Sequence, residues 1–209
     1  MLGHSTWFQF MAGRRFNILL DILPARGSRF MMQTMPGSIS SGTDWYQTEQ
    51  GLMIAETAIT GMNTFNPDGL PVLRSRKATQ YARCIDEWVK IMIHQNNGGY
   101  PNDWLVGDAR TGEIACLELG SSNHKLERTR NGAFVGSNLA MSDEVRSETT
   151  FDYSNQDGTC TVRRERLEQL LKLHERGLLV EMAKVLLADH YDGTAHTSVP
   201  NRNTVCGHV

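Results

Sequence analysis

Apolar and polar positions follow two rhythms along this chain, and the change from one to the other divides it into regions. Residues 16–22 (FNILLDI) carry a mostly apolar strand signature, closed by Pro24 and Gly27. A second short strand is expected over residues 29–34, ended by Pro36-Gly37. Small polar residues dominate residues 38–46 (SISSGTDWY), which read as a loop. Residues 52–59 (LMIAETAI) are a continuous apolar run broken only by Glu56, the pattern of a strand buried on both faces. A carboxylate in that setting needs a partner.

A helical period takes over after Pro71. Tyr81, Ile85, Trp88, Val89 and Met92 recur at three- and four-residue spacing as one apolar stripe, which Asn96-Asn97-Gly98-Gly99 stops. Residues 104–120 read as a hairpin whose turn falls at Asp108-Ala109-Arg110-Thr111-Gly112. A short strand is expected around Phe134-Val135, ahead of Gly136-Ser137-Asn138. Leu167, Leu170, Leu171 and His174 then share one helix face up to Gly177, and Val180, Ala183, Leu186 and Leu187 mark another helix. Residues 204–209 read as the start of a strand. Strands, a helix, more strands and paired helices predict an α+β layered fold in one domain spanning residues 1–209, without internal repeats.

Composition narrows the partners. With 21 basic and 23 acidic residues the formal charge is -2, which argues against nucleic acid or an anionic membrane surface as a broad electrostatic partner. No apolar run approaches the ~20 residues that span a bilayer, so no transmembrane segment is expected. The first residues lack the basic start and long apolar stretch of a signal peptide. Cys84, Cys116, Cys160 and Cys206 are scattered without a Cys-x-x-Cys pair, and most read as buried thiols. Neither a metal nor an organic cofactor is expected: His190, Asp192 and His196 lack ligand spacing, and no phosphate-cradling glycine loop occurs.

Candidate chemistry rests on a few residues. His4 and Trp7 read either as residues beside a nucleophile or as a cap and a core aromatic. Asn138 follows a strand end, where a side-chain amide can donate to a developing oxyanion or simply hold a turn. Cys206 with His208 forms an alternative thiol pair.

Several stretches in fixed order, GHSTW (residues 3–7), PGSISSGTDWY (36–46), GLMIAETAI (51–59), NDWLVGDARTGEIACLELG (102–120), GSNLAMSDEVR (136–146) and TVCGHV (204–209), resemble the phospholipase B-like family. They are also similar to its bacterial relatives, the acyl-CoA:6-aminopenicillanate acyltransferase-like peptidases. The resemblance implies an N-terminal nucleophile hydrolase fold with αββα layers, two stacked antiparallel sheets flanked by helices, present here in part. It implies a hydrolase, amidase or esterase, or an acyltransferase, acting on an acylated small molecule or lipid. The attacking cysteine, exposed by autoprocessing, would precede the GHSTW block on a segment outside this chain, so these residues alone would be inactive. A catalytically inactive relative that binds lipid or protein is the alternative. Carried over by position, His4 lines the site near the nucleophile, Trp7 walls the pocket and Asn138 helps hold the oxyanion. Asp44 and Glu56 match carboxylate positions, orienting or structural, and stand with Trp7 and Arg164 on the substrate side. Arg164 is taken from the group Arg163, Arg164 and Arg166 as the residue meeting a substrate carboxylate or phosphate. Family members are often exported or lysosomal, and the compartment stays open.

Overall fold

Each strand pairs with the strand that follows it, so the backbone zigzags into one antiparallel sheet of seven in the order β1 to β7. The computed structural model describes residues 1–7, 11, 13–14, 17–63, 65–66, 73–156, 158–174 and 177–207. The strands are β1 (Ile18–Ile22), β2 (Phe30–Thr34), β3 (Trp45–Thr48), β4 (Leu52–Ala58), β5 (Asn102–Asp108), β6 (Glu113–Leu119) and β7 (His124–Thr129). The helices are α1 (Leu73–Tyr81), α2 (Ile85–Ile93), α3 (Asp143–Arg146), α4 (Thr159–Lys172) and α5 (Val180–Leu187). The chain is therefore α+β with antiparallel pairing, as the pattern of strands and helices predicts; the described residues supply one open sheet of the two that the resemblance implies.

Period-two alternation sorts the strand residues by face. Phe30, Met32, Tyr46, Leu52, Ile54, Trp104, Val106, Ala115, Leu117 and Leu119 join Ala78, Ile85, Trp88, Val89 and Met92 from α1 and α2 in one core. Trp88 and Trp104 meet at 5.5 Å between ring centroids, tilted by 59°. Burying a large apolar side chain contributes roughly 1.5–3 kcal/mol, so this cluster dominates the stability of the sheet. In the opposite direction from Trp104, Asp103 is buried with its Oδ1 unpaired, and burial lifts its carboxyl well above the usual range, followed by the charge of Glu118.

Several expectations need correction. The apolar stripe from Tyr81 to Met92 belongs to two helices, because Cys84 is extended (φ -153°, ψ 171°) and the Arg83 backbone N–H donates to the Glu87 carboxylate at 2.8 Å, starting a new helix. Trp45–Thr48 is a strand where a loop had been expected up to Tyr46, since Tyr46 and Thr48 point into the core. Phe134-Val135 is irregular; the strand lies earlier, at β7, where charged residues face solvent on both sides of a single apolar Leu126. Residues 204–207 turn back: Thr204 N–H and Oγ1–H both donate to Asn201 O, and Cys206 N–H donates to Asp189 O at 3.1 Å. Phe16, Pro71 and His208 lie outside the described residues.

Candidate active site

The C-terminal end of β4 is where separate parts of the sequence converge. His4 Nε2 lies 3.0 Å from the backbone oxygen of Glu56. A carbonyl only accepts, so the neutral ring carries its hydrogen on Nε2 and leaves Nδ1 as acceptor toward Thr6 Oγ1, 3.2 Å away. The single hydroxyl hydrogen of Thr6 is shared between that nitrogen and Thr43 O, the nearer acceptor at 2.9 Å, which fastens the first residues to the loop before β3. Burial holds His4 below its usual pKa, against the pull of the Asp44 charge and the Glu56 carbonyl.

Two residues on, the same strand end receives Asn138. Its backbone N–H donates to Thr57 Oγ1 at 3.1 Å, and its Nδ2 donates to Ala58 O at 2.8 Å. Thr60 N–H donates to the Asn138 carbonyl at 3.0 Å. Asn138 sits at φ 66°, a left-handed conformation that asparagine tolerates better than most residues. The turn can approach this closely because residue 136 is glycine: a Cβ there would stand 2.3 Å from Thr57 Cγ2.

Arg163, on the first turns of α4, ties Asn138 to Trp7. Its Nη2 donates to Asn138 Oδ1 at 2.9 Å and lies 3.6 Å from Cys160 Sγ. Its guanidinium carbon lies 4.3 Å from the Trp7 ring centroid. Gly207 abuts the same indole, where a Cβ would come within 2.2 Å of Nε1. The structure thus brings His4, Trp7 and Asn138 around one strand end through Glu56, Ala58 and Arg163.

The two carboxylates singled out in the sequence lie beneath this cluster. Glu56 N–H donates to Asp44 O at 3.0 Å, and Asp44 itself is left-handed at φ 68°. The Glu56 side chain is 3% exposed, with Oε2 unpaired. Burial pushes its carboxyl up to about 9, and the Asp44 charge adds to the shift. Tyr100 approaches the same carboxyl, and its hydroxyl is raised by burial first and by Glu56 next. Glu56 is accordingly a neutral acid at pH 7. Arg164, by contrast, is occupied elsewhere, donating to Val135 O at 2.6 Å and pairing with Glu168. Arg163 is the arginine that reaches Trp7 and Asn138. The sequence held a signal for this: Arg164 has Glu168 one turn on, whereas Arg163 has Leu167.

Residues 1–116 of the 209 match the family described as Phospholipase B. The chain belongs to that family. The phospholipase B relatives include "Putative phospholipase B-like 2" of Bos taurus, 31% identical over 109 residues, covering 49% of this chain and 18% of the relative. "Phospholipase B-like protein G" of Dictyostelium discoideum is 30% identical over 117 residues, covering 51% and 20%. The chain thus spans about a fifth of the length of these curated relatives. Among solved structures, a penicillin V acylase from Agrobacterium tumefaciens aligns at TM-score 0.40 and 12% identity over 86% of this chain and 52% of that one. A variant of conjugated bile acid hydrolase from Clostridium perfringens aligns at TM-score 0.41 and 12% identity, over 61% and 46%. Among the described residues no helix is long and apolar enough to cross a membrane.

Proposed function

We propose that this chain supplies the substrate-facing part of an N-terminal nucleophile hydrolase that cleaves an amide or ester bond in an acylated small molecule or lipid. The convergence of His4, Trp7, Asn138 and Arg163 on the end of β4 carries this reading. In it, a cysteine at a processed N-terminus outside these 209 residues gives its proton to its own α-amine and attacks the acyl carbonyl. The carbonyl becomes an oxyanion, the leaving amine or alcohol takes the proton, and water later releases the acyl group from sulfur.

The roles follow from the donors on hand. Asn138 Nδ2 has two hydrogens and gives one to Ala58 O, so the other can face the oxyanion. His4, with both ring nitrogens engaged, is a positioning residue that fixes the first residues against β4. Trp7 forms a wall. Asp44 and neutral Glu56 support the floor beneath His4. Among the internal thiols, Cys116 is held protonated by burial. Cys160 lies beside Arg163 and is the internal competitor for the nucleophile's role.

Hydrolysis of acyl-amide and phospholipid substrates, measured for this chain and for a version extended upstream to the cysteine, tests the reading. Activity confined to the extended protein, and lost when that cysteine becomes alanine, is the expected result. Equal activity in both, abolished by Cys160→Ala, overturns it in favour of an internal thiol.

A further inference from the structure

Beyond Asn138 the chain runs on as a strap, residues 139–148, which two carboxylates tie to β6 and to the turn after it. Glu118 of β6 accepts from Met141 N–H at 2.6 Å through Oε1, and from Ser142 N–H at 2.8 Å and the Ser142 hydroxyl through Oε2. Glu148 does the same from the far end of the strap. It accepts from the N–H groups of Ser121 at 2.6 Å, Asn123 at 2.7 Å and Ser122 at 3.1 Å, in the turn between β6 and β7. That approach needs glycine at 120, where a Cβ would stand 2.3 Å from Glu148 Oε2.

Glu118 is the buried member of the two. Lys125 stands opposite it in the β6–β7 register but pairs with Glu144 at 3.3 Å, so the donors that reach Glu118 among the described residues all belong to Met141 and Ser142. A buried carboxylate is costly unless it is hydrogen-bonded, and hydrogen bonds to a charged acceptor are the strong ones. Carboxylate and strap therefore fix each other. Glu118 also shares a row with the candidate site: it faces Asp103 across β5–β6, and Asp103 faces Thr57 across β4–β5. Asn138 N–H sits on Thr57 at one end of that row, and Met141 N–H sits on Glu118 at the other. Two strand spacings, about 10 Å, separate the ends, and three residues of chain reach at most about 11 Å. The segment between them, with Leu139 and Ala140 buried, has little slack. A shift at residue 141 is passed to residue 138.

We infer that Glu118 is a positioning residue of the candidate site: by holding Met141 and Ser142 it fixes the strap so that the Asn138 amide stays aimed at the reacting carbonyl. In naming that carbonyl the inference rests on the acyl-cleaving reading; the hold of Glu118 on Asn138 does not. Glu118 has no donor to offer a substrate and acts through Asn138 alone. A carboxylate that merely started the short helix α3 would steady Asp143–Arg146 and leave the amide indifferent to its loss. Because Glu148 keeps the far end of the strap, losing Glu118 loosens the segment without detaching it.

The first readout needs no turnover. In this chain labelled with nitrogen-15, the side-chain amide pair of Asn138 is assigned by its absence from Asn138→Asp. Glu118→Gln should move that pair, since an amide in place of the carboxylate cannot accept all three donors. Glu144→Gln, an exposed change on the same helix, should leave it in place. Ser142→Ala removes only the hydroxyl donor and should move the pair less; it carries the comparison if Glu118→Gln does not fold. The second readout is the extended, active protein, in which Glu118→Gln should lower kcat about 10- to 100-fold with KM within about threefold, the scale for a misplaced catalytic group. In an Asn138→Ala background the same change should have no further effect on kcat, because the group it positions is gone. An Asn138 pair unmoved in a folded Glu118→Gln or Ser142→Ala chain overturns the inference, as does a loss of kcat equally large in both backgrounds. An extended protein that cleaves nothing sinks the hydrolase reading while the amide signal still decides this inference, and an active one whose Asn138 pair ignores Glu118 does the reverse.

Discussion

Trp7 is gripped from two directions, by the Arg163 guanidinium 4.3 Å from its ring centroid and by the backbone of Gly207 at its Nε1 edge. Gly207 also sits at φ 67°, so it is glycine for want of both space and conformational strain. Gly207→Ala should displace the indole and cost about 1–3 kcal/mol, the range for forcing a methyl into a packed site. Thermal melts would measure the loss. In a Trp7→Phe background, which removes the Nε1 edge, the same change should cost less, giving a non-zero coupling in the double-mutant cycle.

Asn138 joins strand, turn and helix through four hydrogen bonds. Asn138→Ala removes the two made by its side chain. In the active, extended protein the expected effect is a fall in kcat of about 10²–10³, the scale for losing one oxyanion donor, with KM little changed. A rise in KM alone would reassign Asn138 to ground-state binding.

Glu56, together with buried Asp103, lowers stability as pH rises. The folded pKa of Glu56, about 9, lies above the ordinary glutamate value of 4.5, so the native state prefers the protonated form. That contribution is complete below about pH 4.5 and is lost as pH rises toward 9. Glu56→Gln should flatten the decline in Tm between pH 5 and 9.

His4 acts on the acid side. Burial lowers its pKa below 6.5, so the unfolded chain binds its proton first and stability falls as pH drops below 6.5. His4→Gln, which can still donate to Glu56 O, should weaken that acid slope while leaving the slope above pH 7 in place.

Asp192 organises the turn that delivers Gly207. It is 2% exposed and accepts hydrogen bonds from Thr194 N, Ala195 N, Asn201 Nδ2 and Asn203 Nδ2. Asn203 Oδ1 in turn accepts from Thr159 Oγ1, at the start of α4. Asp192→Ala should cost at least about 1–3 kcal/mol through unpaired donors, and hydrogen exchange at the Trp7 indole should quicken relative to wild type.

The parts of the fold that were legible in the sequence were those with a single burial requirement. The β5–β6 hairpin announced itself because apolar strands flank a turn in which Asp108 Oδ1 accepts from Arg110 N–H. β7 was hidden because one face of HKLERT meets solvent and the other offers little beyond Leu126. The break between α1 and α2 was hidden because helical spacing of apolar residues persists across it, and only Glu87 reaching back to Arg83 marks the restart. At the site, residue types pointed to His4, Trp7 and Asn138, whereas the choice among neighbouring arginines depended on who their partners are across long stretches of chain. Glu56 was marked by its place in an apolar run, but its neutral state follows from burial near Asp44, which no local pattern reveals.

A sheet in which every strand bonds to its successor can assemble strand by strand, its longest connection being residues 59–101 between β4 and β5, which carries α1 and α2. The residues around the end of β4 come instead from positions 4 and 7, 138, 163 and 207, so their meeting closes the longest loops in the molecule. The scaffold can therefore form before the site does. Substitutions at Trp7 or Gly207 should chiefly accelerate unfolding of the site, while the rate at which the sheet is built stays near that of the parent chain.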